Sequence, residues 1–222
     1  MGRKFIAGFI IFVLVYFSIQ SVAEFYVDLQ WFAGYGQSAT FWTLVYGKFY
    51  VGLIFFLAFV ALFALNFLLI RVMEGSGRIF TQNILDRLHV PLFGTPRRAL
   101  FIILAGGVVT LGVFMGMGAS AFWKEYLMHV NAAPFTGFPA DPVFNHDIGF
   151  YVFSLPFYRF LYHWLMISLV IITVFSAAFH LLNGGISVRG GAMELSLFSR
   201  AHLSTLAALI VLLHGIGYRI SA

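Results

Sequence analysis

The chain has 222 residues, of which 61% are hydrophobic and only 9% charged, with a mean hydropathy of +0.95; so little polar surface cannot coat a water-soluble globule. The formal charge of +5 is spread over short connections between apolar blocks, which argues against a basic face and a nucleic-acid partner. The absence of cysteine from the sequence excludes disulfides, thiolate metal sites and cysteine nucleophiles.

A helix needs about 20 mostly apolar residues to cross the hydrocarbon core of a bilayer. Five runs meet or approach that length: 5–23, 49–70, 99–123, 160–182 and 202–218. They predict an all-α, polytopic transmembrane bundle forming a single membrane domain over residues 1–222, with the lipid bilayer as its first partner. In the first run, Arg3 and Lys4 precede an apolar stretch that ends at Ser21-Val22-Ala23, a pattern that a cleavable signal peptide shares. Its length, and the helix-compatible Glu24, Phe25, Tyr26 and Val27 that follow, favour a retained span.

Between the first two runs lies a long aromatic connection with Trp31, Phe32, Tyr35, Phe41, Trp42 and Tyr46, ring types that favour the membrane interface. Ser38 or Thr40 is expected to cap the helix entering the second span. That span carries Asn66, read as an interhelical hydrogen bond. The next connection places Ile79, Phe80, Ile84, Leu85 and Leu88 near helical spacing, which predicts an amphipathic helix over 79–90 lying on the inner leaflet.

In the third run Gly112, Gly116 and Ser120 recur every four residues, so one face lacks side-chain bulk and is expected to pack closely on another helix of the chain or of a partner subunit. The connection after it is again aromatic, and Pro134, Pro139, Pro142 and Pro156 are expected to break it into turns and extended pieces packed on the bundle. Within it Asp141, Asn145, His146 and Asp147 offer oxygen and nitrogen ligands for a divalent cation. The simpler expectation is that the carboxylates cap turns.

Four histidines lie on the last two runs: His163 and His180 on the fourth, His202 and His214 on the fifth. Antiparallel helices would bring His180 and His202 to one side and His163 and His214 to the other, superficially like a helix pair that holds haem. At about 100° per residue, however, neither helix carries its two histidines on one face, so interfacial or hydrogen-bonded imidazoles are the expected state and haem the alternative. No charged residue lies deep in a run, which argues against a secondary active transporter. No phosphate-binding glycine loop, serine-histidine-aspartate order or zinc-protease helix motif is present, and no catalytic residues or cofactor are predicted.

Basic connections stay on the cytoplasmic side. A cytoplasmic N-terminus retains Arg3, Lys4, Arg71, Arg78, Arg87, Arg97, Arg98, Arg189 and Arg200 there, against Lys48, Lys124, Arg159 and Arg219 outside. That orientation is therefore predicted, in the cytoplasmic (inner) membrane of a bacterium.

The stretch Asp141-Pro142-Val143-Phe144 followed by Asp147-Ile148-Gly149-Phe150-Tyr151-Val152-Phe153-Ser154-Leu155-Pro156-Phe157 resembles the signature of uncharacterised protein family 0182. The earlier Asp28-Leu29-Gln30-Trp31-Phe32, with Gly34-Tyr35 and Phe41-Trp42, resembles it too. The resemblance implies a large bacterial membrane protein with a series of N-terminal spans and a big extracytoplasmic region. It supplies no catalytic residues. This chain stops at Arg219-Ile220-Ser221-Ala222, where the resemblance implies further spans and the large domain, so the expectation is a truncated, split or partly represented protein. On this reading the chain is a non-enzymatic membrane domain that anchors an extracytoplasmic region or a partner subunit. A transporter or channel subunit and a haem-binding electron carrier are the alternatives.

Overall fold

The computed structural model describes residues 2–73, 96–135, 137–189 and 192–221; the amphipathic helix predicted over 79–90 lies outside them. Among the described residues the chain is almost wholly helical. Residues 1–48 and 49–222 form two compact units.

In the first unit, α1 (Gly2–Gly34) covers the first predicted span and continues well past it. The connection predicted over 24–48 is therefore itself helical, because nothing between Glu24 and Gly34 breaks a helix. The stop is a glycine cap. Gly36 takes φ +68°, its N–H donates to the Ala33 carbonyl at 3.0 Å, and the Gln37 N–H donates to the Phe32 carbonyl at 2.8 Å, which satisfies the end of α1 in a Schellman turn. After it α2 (Ser38–Met73) starts at once. The predicted interfacial rings close this corner on themselves, with Phe41 against Phe25 at 5.2 Å and against Phe32 at 5.7 Å, and Phe41 is buried.

The second unit contains the rest of α2, then α3 (Pro96–Ser120), α4 (Trp123–Val130), a π-helical turn (Phe150–Ser154), α5 (Leu155–Leu182), a hairpin of β1 (Ile186–Arg189) and β2 (Ala192–Leu195), and α6 (Leu197–Ser221). Among the described residues four stretches, Ser38–Val72, Ile102–Ser120, Phe150–Leu182 and Leu197–Ile220, are long and apolar enough to cross a membrane. Neither α4 nor the hairpin is visible in the hydropathy pattern. Pro156 does not break the helix as predicted: it sits at the start of α5, directly after the π-helical turn Phe150–Ser154, the kind of local irregularity that accompanies a proline within a helical run.

The core of this unit is aromatic and centres on Val51, Phe55, Phe59, Ala119, Phe160 and Trp164. Phe55 meets Phe160 and Trp164 edge-on at 5.0 and 4.9 Å, the geometry that ring quadrupoles favour. The close approach of α2 and α3 depends on small residues. A Cβ on Gly116 would lie 2.5 Å from the Gly52 carbonyl oxygen, and one on Gly112 would lie 2.9 Å from Val60. Gly118, off this face, has open space around it.

The buried residues of α5 are Phe160, Trp164, Ser168, Ile172, Ser176 and His180, a row at four-residue spacing that winds around the helix by about 40° per step. It begins with two aromatic residues and ends with Ser176 and His180. That change of chemistry along the row positions the site.

Candidate functional site

The polar end of the stripe lies where α5 turns into the hairpin. Gly184 takes φ +78°, and the Ser196 N–H donates to the Gly185 carbonyl at 2.8 Å, closing the base of the hairpin. The side chain of Ser196 accepts from the Ser199 N–H at 3.1 Å, making it the N-cap of α6. Gly185 has no room for a side chain, since a Cβ there would fall on the Ser199 hydroxyl and 3.5 Å from His180 Nδ1.

These constraints bring residues of α2, α5 and α6 into one chain of hydrogen bonds. Ser196 Oγ lies 2.8 Å from Ser199 Oγ, Ser199 Oγ 3.1 Å from His180 Nδ1, and His180 Nε2 3.1 Å from His202 Nδ1. His202 Nε2 lies 3.1 Å from Asn66 Oδ1, and Asn66 Nδ2 donates to Ser176 Oγ at 2.9 Å. His180 and Ser199 are 0% exposed, Ser176 2% and His202 9%. Phe198 stacks on His202 and meets His180 edge-on, so apolar rings flank the imidazole pair.

The donors and acceptors can be assigned from one end. The Asn66 carbonyl only accepts, so His202 Nε2 carries a proton and, in the neutral ring, Nδ1 accepts. His180 Nε2 must then donate to it, which leaves His180 Nδ1 to accept from the Ser199 hydroxyl. Ser199 in turn accepts from Ser196. Every link points the same way, from the hairpin toward Ser176. Each ring nitrogen and hydroxyl oxygen of this hydrogen-bond chain has a partner, as burial requires.

This arrangement does not fit haem. Two imidazole nitrogens that share a metal lie about 4 Å apart, twice a bond of roughly 2 Å, whereas His180 and His202 are hydrogen-bonded to each other at 3.1 Å. The other two histidines stand elsewhere: His163 packs edge-on against Tyr162 at 4.9 Å, and His214 Nδ1 lies 3.4 Å from the Tyr162 hydroxyl.

At the far end of α5, the loop residues considered as cation ligands serve the backbone. Asp147 accepts from the N–H groups of Gly149 at 2.7 Å and Phe135 at 3.2 Å. Asp141 accepts from the Val143 N–H at 2.8 Å and from the Tyr151 hydroxyl; the phenol above all, helped by the backbone donor, holds its carboxyl below the usual value. Asn145 sits in the left-handed region at φ 55°, and His146 stacks on Phe150 at 4.1 Å. Among the described residues no three histidine, aspartate or glutamate side chains are grouped to hold a metal ion. His146, Tyr151, Tyr158 and Arg219 line a cleft of about 220 Å³.

The family model of the uncharacterised protein family UPF0182 matches residues 5–222. The chain belongs to this family. Among UPF0182 relatives, a protein of Nocardioides sp. is 30% identical over 219 residues, 98% of this chain and 21% of the relative. One of Mycobacterium tuberculosis is 32% identical over 200 residues, covering 89% and 20%, and one of Salinispora tropica is 38% identical over 137 residues, covering 62% and 13%. The chain thus spans about a fifth or less of the length of these UPF0182 proteins. No solved structure matches it.

Sequence reasoning placed His180 and His202 on the same side of an antiparallel helix pair and singled out Asn66 apart from them. It missed Ser176, Ser199, Ser196 and Gly185. The one available signal was the position of Ser176 four residues before His180, on the same face of α5.

Proposed function

We propose that this chain is a membrane-anchoring and assembly domain, a prearranged helical scaffold in the bacterial cytoplasmic membrane that carries an extracytoplasmic region or a partner subunit. The observation that carries the reading is the interlocking of the helices by specific side-chain contacts: the Gly52/Gly116 approach of α2 to α3 and the hydrogen bonds joining α2, α5 and α6 through Asn66, His202 and His180. Apolar burial supplies little drive for helix association inside lipid, so register there depends on close packing and polar links of this kind. A scaffold with one register presents its ends at fixed positions, which is what an attached domain needs. The relatives' length supports the reading, because most of each relative lies outside the part matched here.

The domain is expected to cross the membrane several times with its N-terminus in the cytoplasm. Because the sequence contains no cysteine, single cysteines introduced at Gln37 and Gly184 would report sidedness without background, and labelling of Gln37 from outside with Gly184 protected is the expected result. The assembly role is tested by Gly116→Leu, with Gly118→Leu as control. Gly116→Leu is expected to abolish copurification of the domain with its extracytoplasmic region or partner in mild detergent, while Gly118→Leu retains it. Copurification unchanged in Gly116→Leu would overturn the reading.

The buried polar chain favours a second reading, a transport or channel subunit. A solute flux into vesicles that disappears in Asn66→Leu would move that reading to the front.

A further inference from the structure

We propose that the His180–His202 pair is a proton-binding site that holds either no proton or one beyond the neutral state, loaded from the hairpin end and closed at Asn66. The inference stands on the geometry of the hydrogen-bond chain and is independent of the anchoring role.

The entrance is Ser196, which is exposed and hydrogen-bonded to Ser199, itself bonded to His180 Nδ1. In the neutral chain Nδ1 accepts from Ser199. A proton arriving from water bonds to that nitrogen: Ser199 passes its own proton to His180 Nδ1 and takes one from Ser196, which is replenished from a hydronium ion or buffer acid at the surface. His180 becomes an imidazolium, one positive charge enters, and the acid in water loses one proton. Afterward His180 Nδ1–H donates to Ser199 Oγ, the Ser199 hydroxyl donates to Ser196, and Ser196 donates to water. The transfers themselves reverse the two hydroxyls, and no hydrogen bond in the chain is lost. The charge can shift to His202 by transfer across the 3.1 Å link.

A second proton has no place. With both rings doubly protonated, two N–H groups would face each other across 3.1 Å, each on a cation, so the pair has room for one added proton between two rings. The far end is blocked as well. Asn66 presents an amide oxygen to His202, which accepts hydrogen bonds but does not carry a proton onward under ordinary conditions. The chain is therefore a site with one door and no through path.

Among the described residues, the groups facing the pair include Asn66 from α2, Phe179 and Ser176 from α5, Gly185 from the base of the hairpin, and Phe198 and Ser199 from α6, all of them uncharged. Each imidazole is a titratable neighbour of the other. Among the charged side chains described on those elements, Arg71 on α2, Glu194 on β2 and Arg200 on α6 are exposed.

The test is a proton titration of the 222-residue chain in lipid nanodiscs, labelled with ring ¹⁵N-histidine and followed by NMR from about pH 8 to pH 4, the range in which histidine ordinarily titrates. Signals of the two rings are assigned by their loss in His180→Gln and His202→Gln. The expected result is one step in which both rings change together and share one proton. Two imidazolium rings, or no uptake across the range, would overturn the site. The door is tested by the rate of proton exchange with water: Ser199→Ala is expected to slow it about tenfold, the rate equivalent of one lost hydrogen bond, with recovery in Ser199→Thr, whereas Ser176→Ala beyond Asn66 leaves it unchanged. Equal slowing by Ser176→Ala, or none by Ser199→Ala, would overturn the assigned direction.

Discussion

The two ends of α5 carry similar residue types and use them in opposite ways. Near Pro156 the carboxylates serve local structure, with Asp141 and Asp147 holding loop N–H groups; His129 of α4 makes a single bond, to Ser154 at 3.1 Å, and stacks on Phe157 at 4.9 Å, and aromatic rings fill the space between helices, as with Phe122 on Phe160 at 4.4 Å. Near His180 the polar groups bond one another across three helices. The difference teaches that a histidine near a span end is no guide to its role. What matters is whether its ring nitrogens end in a single bond or carry a chain of bonds onward across helices.

The sharpest way to break that contrast is His202→Ala, which removes the central link and leaves His180 Nε2 and Asn66 Oδ1 without their partner. A loss of about 2–3 kcal/mol is expected in denaturant unfolding, the cost of buried polar groups left unmatched. At the other end His129→Ala removes a single bond to Ser154 and a ring stack, and about 1 kcal/mol is expected. Equal losses would erase the distinction.

Gly185→Ala should follow. The added methyl falls on the Ser199 hydroxyl, so the hairpin must shift and the chain opens at its entrance; a loss of about 1–2 kcal/mol is expected from overpacking, with faster hydrogen exchange at the Ser196 amide as the local readout.

The smallest effect belongs to Asp141. Its folded pKa is depressed below the ordinary 3.8 by the Tyr151 hydroxyl first and the Val143 N–H second, so the stabilisation it contributes is fully present above 3.8 and is lost as pH falls through the lowered folded value. Tyr151→Phe is expected to raise the Asp141 midpoint toward 3.8 and to narrow that acid window. An NMR titration of the carboxyl carbon checks this, and an unmoved midpoint would show that the phenol is not the cause.

Some of this was legible beforehand and some was misread for identifiable reasons. The aromatic residues over 24–48 suggested a connection lying at the interface, yet aromatic rings are compatible with helix, and the true punctuation was Gly34-Tyr35-Gly36. Pro156 was counted among the breakers because a proline's effect depends on whether it stands at the first turn or inside a helix, which its neighbours alone do not reveal. The 100° rule correctly kept His163 and His180 off one face of α5. It could say nothing about His180 and His202, because facing across helices depends on the length and closure of the turn between them.

Block length and apolarity, together with the quoted motif residues, were enough for the all-α class, the positions of the long helices and the family. These follow from the cost of unpaired backbone in an apolar solvent, which every segment meets by itself. The meeting of Asn66 with His202, and of His202 with His180, needed the tertiary structure. It depends on the axial register of three helices, set by the turn at Gly184 and Gly185 that leads α5 into the hairpin and by a serine cap at Ser196, and contacts at that distance along the chain leave no periodic trace in any one segment.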